Sequence, residues 1–155
     1  MVGFSDSLCD RIIKESTNME LFTTNLRKHS RYIVDEKDRD SCKNWNLVDS
    51  LIKSNLGNNY FLTTWLITLK YEKGDYFLEH NDGYDTGKRY LSGGITLSPP
   101  TEYTGGRFIL EGRDVTADRG QLFTHTALQK HKITEVESGT RYVLHFCIGK
   151  NSTLL

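Results

Sequence analysis

Residues 60–82, YFLTTWLITLKYEKGDYFLEHND, mark where the character of the chain changes. In the first twelve, Phe61, Trp65, Ile67, Leu69 and Tyr71 share one parity, and β-branched and aromatic residues dominate, which reads as a strand. Gly74 interrupts the run, and a second strand-like run ends on His80 and Asp82. An extended strand sends residues i and i+2 to the same side, about 6.6 Å apart by the usual rise. One ion could therefore take both side chains. Taken alone, the pair reads as a strand end followed by an Asx-type turn at Asp82-Gly83.

Upstream of this stretch the period is helical. SDSLCDRIIKES offers Ser5 or Ser7 as an N-cap and spaces Leu8, Ile12 and Ile13 along one face. NWNLVDSLIKSNLG repeats the pattern with Trp45, Val48, Leu51 and Ile52, and Gly57 is placed to end that helix. Downstream, RYLSGGITLS, GRFILEG, GQLFTH, HKITEVE and TRYVLHFCIG alternate with turn signals at Pro99-Pro100, Gly105-Gly106, Gly112, Gly120 and Ser138-Gly139. Many short strands with helices confined to the N-terminal part predict a mainly β, α+β fold, an antiparallel sandwich or jelly roll with helices on one outer face. The Gly105-Gly106 pair is expected to serve a turn or bulge, since no helix pattern follows it.

At 155 residues the chain has the size of one domain, 1–155, with helical support over 1–58 and a strand-rich core over 59–150. Lys plus Arg equals Asp plus Glu at 20 each, so no net field draws it to nucleic acid or an acidic membrane surface. Cys9, Cys42 and Cys147 are odd in number and widely spaced, which suggests neither a disulfide framework nor a thiolate zinc site. With no signal-like start and no bilayer-length apolar segment, a soluble, cytoplasmic protein is expected.

Of the five histidines, His29 lies in the charged stretch NLRKHSRY and reads as solvated. His125 and His131 are both candidates for a third ligand beside His80 and Asp82. Two imidazoles and one carboxylate suit iron, occupying one face of an octahedron and leaving positions open. Arg141 opens the last long strand, and a guanidinium is the side chain best built to grip a carboxylate. In isolation it reads as a surface partner of Glu135 or Glu137. His145 shares its parity and reads as a hydrogen-bonded core residue or a pocket wall. Cys147 reads as a small buried hydrophobe.

Taken in order, Tyr71, Gly74, His80-x-Asp82, Gly105-Gly106 and HKITEVESGTRYVL resemble the catalytic core of the iron(II)- and 2-oxoglutarate-dependent dioxygenases, in the prolyl 4-hydroxylase-like branch. The resemblance spans roughly residues 60–149. It implies a double-stranded β-helix, with His80, Asp82 and His131 as iron ligands and catalytic residues. It further implies Arg141 as the 2-oxoglutarate anchor, with Tyr71 lining the cosubstrate pocket, and dioxygen and ascorbate as further participants. His125 stands six residues too early for the family's interval to the arginine.

The implied reaction is hydroxylation of a substrate C–H with release of succinate and carbon dioxide. Peptidyl proline is the favoured substrate class by resemblance, with another protein or amino-acid side chain or a small metabolite as alternatives. The loop NDGYDTGKRY, with Tyr84, Lys88 and Arg89 as substrate-side candidates, is expected to act as a lid. Other readings are a metal-binding jelly roll without oxygen chemistry, a zinc hydrolase, and an oxygenase of alkylated nucleic acid bases. Relatives of the last kind carry a second arginine where this chain has Cys147.

Overall fold

The computed structural model describes residues 2–83 and 89–151. Helix α1 spans Asp6–Glu15, capped by Ser5, whose hydroxyl accepts from the Leu8 N–H at 3.2 Å. Helix α2 spans Lys43–Leu56 and stops at Gly57, whose positive φ of 118° suits a residue without a side chain.

The N-terminal third is not wholly helical, which corrects the expected division at residue 58. Between the helices run β1 (Glu20–Thr23) and β2 (Arg27–Asp35), and β2 occupies the middle of the main sheet. Its charged residues disguise a strand whose alternate members, Arg27, His29, Arg31 and Ile33, all line the cavity described below. Arginine stems and imidazole rings pack against aromatic neighbours there, so charge in the sequence did not mean solvation.

The remaining strands are β3 (Tyr60–Tyr71), β4 (Tyr76–His80), β5 (Leu91–Thr96), β6 (Tyr103–Gly105), β7 (Phe108–Leu110), β8 (Arg113–Asp114), β9 (Leu122–His125), β10 (His131–Ile133), β11 (Val136–Gly139) and β12 (Arg141–Lys150). The main sheet runs β8-β7-β10-β4-β2-β3-β12-β5-β9, with β1 added beside β2, and β11 pairs with β6 separately. Every pairing is antiparallel. The sheet curls until its ends meet. Phe108 on β7 packs 5.1 Å from Phe123 and 5.7 Å from His125 on β9, between ring centres. This is the jelly roll that the strand spacing predicts, in the double-stranded β-helix form that the resemblance implies.

Strand alternation divides the apolar residues between two faces. On the convex face Leu62, Leu66, Leu144, Phe146 and Ile148 meet Cys9 and Ile12 of α1 and Trp45, Val48, Leu51 and Ile52 of α2. Each large side chain buried there contributes about 1.5–3 kcal/mol. On the concave face Ile67, Leu69, Tyr71, Val136 and Val143 form the second cluster. Strand β3 keeps both faces in phase because two extra residues, Thr64 and Trp65, sit between the Thr63–Cys147 and Leu66–Phe146 pairs. The concave face encloses a cavity of about 700 Å³.

Candidate metal centre and anion pocket

His80 closes β4 and His131 opens β10, and the two stand directly opposite in the β4–β10 register. Asp82 follows two residues later, held by its own N–H donating to the Ala127 carbonyl at 2.8 Å. One ligand atom from each of the three lies within 4.8 Å of the others, the one such group among the described residues.

The histidines are prepared as ligands. Nδ1 of His80 lies 2.7 Å from the Leu78 carbonyl, and Nδ1 of His131 lies 2.8 Å from that of Gln129. A proton on Nδ1 satisfies each carbonyl and leaves the Nε2 lone pair free to coordinate. Those Nε2 atoms sit 3.7 and 3.4 Å from Oδ1 of Asp82.

The Asp82 carboxylate is braced on its other oxygen. Ser92 Oγ donates to Oδ2 at 2.5 Å, and Arg89 Nη1 lies 3.7 Å away. Burial pushes the carboxyl pKa up, but His131 and Ser92 outweigh it and hold the group well below the ordinary range. Burial lowers His80, whereas for His131 burial is overcome by the Asp82 hydrogen bond and its pKa is raised. An ionised acid and at least one neutral imidazole are thus present without adjustment, a donor set that fits a divalent transition metal.

Arg141 and Tyr71 lie opposite each other across β12 and β3, at the inner end of the same cavity. Each is 1% exposed. Nε and one terminal nitrogen of Arg141 have no hydrogen-bond partner, and among the described residues it makes no ion pair with Glu135 or Glu137. Burial pushes the Tyr71 phenol up to about 12, against the pull of Arg141 and Arg27, so it stays protonated as a donor. A buried guanidinium with idle donors is costly unless an anion meets it. The fold beside it is shaped by Gly105 and Gly106, both with positive φ. A Cβ on Gly105 would fall 2.1 Å from the Glu135 carbonyl oxygen, and one on Gly106 3.2 Å from Arg141 Cδ.

The other histidines divide differently from their sequence context. His29 is buried at 1% exposure and pushed down to about 3 by burial, which corrects its reading as solvated. It packs 5.2 Å from the Tyr71 ring. His125 lines the cavity 4.2 Å from the His131 ring but stands outside the group of three. His145 is both a cavity wall and hydrogen-bonded, with Nδ1 3.2 Å from the Gly93 carbonyl and a pKa lowered to about 4 by its enclosure.

Arg89 reaches the site, donating through Nε to buried Cys147 at 3.2 Å and lying 5.9 Å from the Trp65 ring centre. Tyr84 and Lys88 lie outside the described residues, as does the middle of the expected lid. Sequence reasoning passed over Arg27, Arg31, Phe77 and Ser92. Only the period-two alternation in RKHSRYIVD carried a signal for the first two.

No family model matches the chain. A PKHD-type hydroxylase of Prochlorococcus marinus is 32% identical over 126 residues, covering 75% of this chain and 56% of that protein. The chain therefore spans about half the length of this curated relative. Among solved structures, a Pseudomonas putida prolyl-4-hydroxylase superposes with a TM-score of 0.69 at 15% identity, over 96% of this chain and 89% of that one. A prolyl hydroxylase from Trichoplax adhaerens, in complex with a hypoxia inducible factor oxygen degradation domain peptide fragment, superposes at 0.64 and 15% identity, over 93% and 76%. These structural likenesses are of fold. No helix among the described residues is long and apolar enough to cross a membrane. By sequence the chain is similar to a PKHD-type hydroxylase, and its fold is the one shared by the solved prolyl hydroxylases and 2-oxoglutarate-iron(II) oxygenases.

Proposed function

We propose that this chain hydroxylates a substrate C–H, using iron(II) held by His80, Asp82 and His131 and 2-oxoglutarate anchored by Arg141. The observation that carries this reading is that one cavity contains both a two-imidazole, one-carboxylate donor set and a buried guanidinium with unpartnered nitrogens. Metal-assisted hydrolysis requires the first alone, whereas a 2-oxoglutarate oxygenase requires both.

When bound, iron(II) and 2-oxoglutarate supply the electrons that activate dioxygen, the cosubstrate leaving as succinate and carbon dioxide. Everything else is the work of side chains. His80 and His131 present Nε2 because their Nδ1 protons are held by backbone carbonyls. Ser92 holds Asp82 through Oδ2, so that Oδ1 is the oxygen turned toward the two Nε2 atoms and would be the one offered to iron. Arg141 offers two parallel N–H donors to the far carboxylate, and the Tyr71 hydroxyl is a further donor beside it. Val143, Leu69, Ile133 and Phe123 line the space between with apolar surface, which excludes water from the reacting centre. Trp65, Arg89, His125 and His145 form the remaining wall near Asp82 and are the substrate-side groups.

The favoured substrate class is peptidyl proline or another protein or amino-acid side chain, a reading supported by the similarity to a PKHD-type hydroxylase and by the fold shared with prolyl hydroxylases. Peptide and amino-acid pools incubated with the iron-loaded protein, 2-oxoglutarate and oxygen are expected to yield a product heavier by one oxygen atom. An Asp82→Ala control should yield none. Equal product from that control, or 2-oxoglutarate binding unchanged in Arg141→Met, would contradict the assignment.

A further inference from the structure

A ladder of alternating rings and guanidiniums leads out of the metal centre along β2. Phe77 stacks on the ligand His80 with ring centres 3.7 Å apart and planes 12° from parallel. Across the β2–β4 pair, the Arg27 guanidinium lies 4.9 Å from the Phe77 ring centre and 4.4 Å from that of Phe22. The Arg31 guanidinium lies 3.7 Å from the same Phe22 ring. Both arginines line the cavity that holds the triad.

Among the described residues neither guanidinium has a carboxylate partner. The contrast with their neighbour is direct, since Lys28, facing the other way, lies 3.9 Å from Asp75. Arg27 is partly buried, and its pKa is lowered first by burial and then by Arg31. Two cations that share one ring repel, and desolvation adds to the cost. Between them, the buried Nδ1 of His29 is also unpartnered. Asp35 lines the same cavity but at the far end of β2, opposite Trp65.

A guanidinium held over a ring makes no conventional hydrogen bond to it, so its N–H groups stay available to grip a carboxylate bidentately. Arg141 already serves the cosubstrate at the inner end. We propose that Arg27 and Arg31 form a recognition site for a carboxylate-bearing substrate, so that the group hydroxylated is presented by an acidic molecule. The carboxylate recognised is the side-chain one of Asp or Glu, in a peptide or in the free amino acid. This inference rests on the oxygenase reading above, and deepens it by naming the chemistry of its substrate.

Two peptide pools of equal length, with capped termini, an uncharged fluorophore and a central proline, separate the possibilities. One pool carries Asp and Glu at the flanking positions and the other Asn and Gln. Binding is followed by anisotropy on protein loaded anaerobically with iron(II) and 2-oxoglutarate. Free aspartate and glutamate, against asparagine and glutamine, are measured as competitors. The acidic ligands should bind about tenfold or more tightly than their amides, with a preference that shrinks as salt rises. In Arg27→Gln/Arg31→Gln, checked for folding by its thermal transition, the preference should fall to about twofold or less, and Arg27→Lys/Arg31→Lys should restore part of it.

Preference for acidic peptides, or for the acidic free amino acids alone, supports the inference and identifies the source. Equal binding of acidic and amide ligands, or a preference that survives in the double Gln variant, overturns it. Succinate formation in the same preparation separates the two levels. Turnover without acidic preference removes the recognition site and leaves the oxygenase, whereas acidic preference without any 2-oxoglutarate consumption removes the oxygenase.

Discussion

Arg141 and Tyr71 face each other across the β3–β12 pair, with the guanidinium carbon 5.7 Å from the phenol ring centre and both side chains 1% exposed. The pairing leaves a buried cation without an anion, and two of its nitrogens idle. The fold tolerates this locally unfavourable arrangement where a carboxylate ligand would complete it.

Replacing the cation by an apolar side chain of similar length therefore has opposite effects on stability and binding. Arg141→Met should stabilise the ligand-free protein by about 1–3 kcal/mol, since it removes an unpaired buried charge. It should weaken 2-oxoglutarate binding about 100-fold or more, as the loss of a desolvated bidentate partner implies. Urea unfolding and calorimetric titration with 2-oxoglutarate measure the two. A destabilised variant that binds normally would place the anion elsewhere.

Ser92 touches no metal in this account, yet it fixes Asp82 by a 2.5 Å hydrogen bond. Ser92→Ala should lower iron(II) affinity about 10–100-fold with little change in 2-oxoglutarate affinity of the metal-loaded protein. Competition against a chelator of known affinity gives the number. An unchanged affinity would mean that backbone anchoring alone orients the acid.

Gly106 has φ +60°, and an added Cβ would sit 3.0 Å from Val136 Cγ2 and 3.2 Å from Arg141 Cδ. Gly106→Ala should cost about 1–3 kcal/mol and displace the arginine stem. The expected signature is weaker 2-oxoglutarate binding with iron affinity preserved. Loss of both in parallel would indicate general loosening of the fold.

His29 makes stability depend on pH in a definite direction. Its imidazole takes up a proton near pH 6.5 when unfolded but only near pH 3 when folded. Between those values the unfolded state binds more protons, so acidification favours unfolding, and above pH 6.5 the residue contributes no slope. Passing from pH 7 to pH 5 should cost about 2 kcal/mol through this residue. His29→Phe, placed among Phe22, Tyr71 and Phe77, should lose less stability over that interval by about this amount. Urea midpoints at the two pH values decide it, and identical losses in both proteins would refute the buried neutral assignment.

Legibility in the sequence followed periodicity and spacing. The strand run ending at His80 and Asp82, the two helices and the last strand from Arg141 are regular, and each was readable from apolar alternation or capping residues. The grouping of His80, Asp82 and His131 within 4.8 Å was anticipated because residues of rare chemistry stand at family-like intervals. Strand β2 was hidden, since its inward residues are Arg27, His29 and Arg31, and their partners Phe22 and Phe77 come from separate strands. Ser92 was hidden for a similar reason: sheet pairing, which sets Ser92 between Cys147 on β12 and His125 on β9, brings that ordinary serine within reach of Asp82. Contacts set by three-dimensional closure leave no local period to read.

Product stoichiometry decides whether one cavity couples a His80–Asp82–His131 metal set to an Arg141 anion anchor. Protein loaded anaerobically with iron(II) and 2-oxoglutarate is exposed to oxygen, and succinate and carbon dioxide are counted. The two should form in equal amounts with a strict requirement for iron, and both should be lost in Asp82→Ala and in Arg141→Met. Succinate formed undiminished by either variant, or no 2-oxoglutarate consumption by folded, iron-loaded wild-type protein, would contradict that coupling.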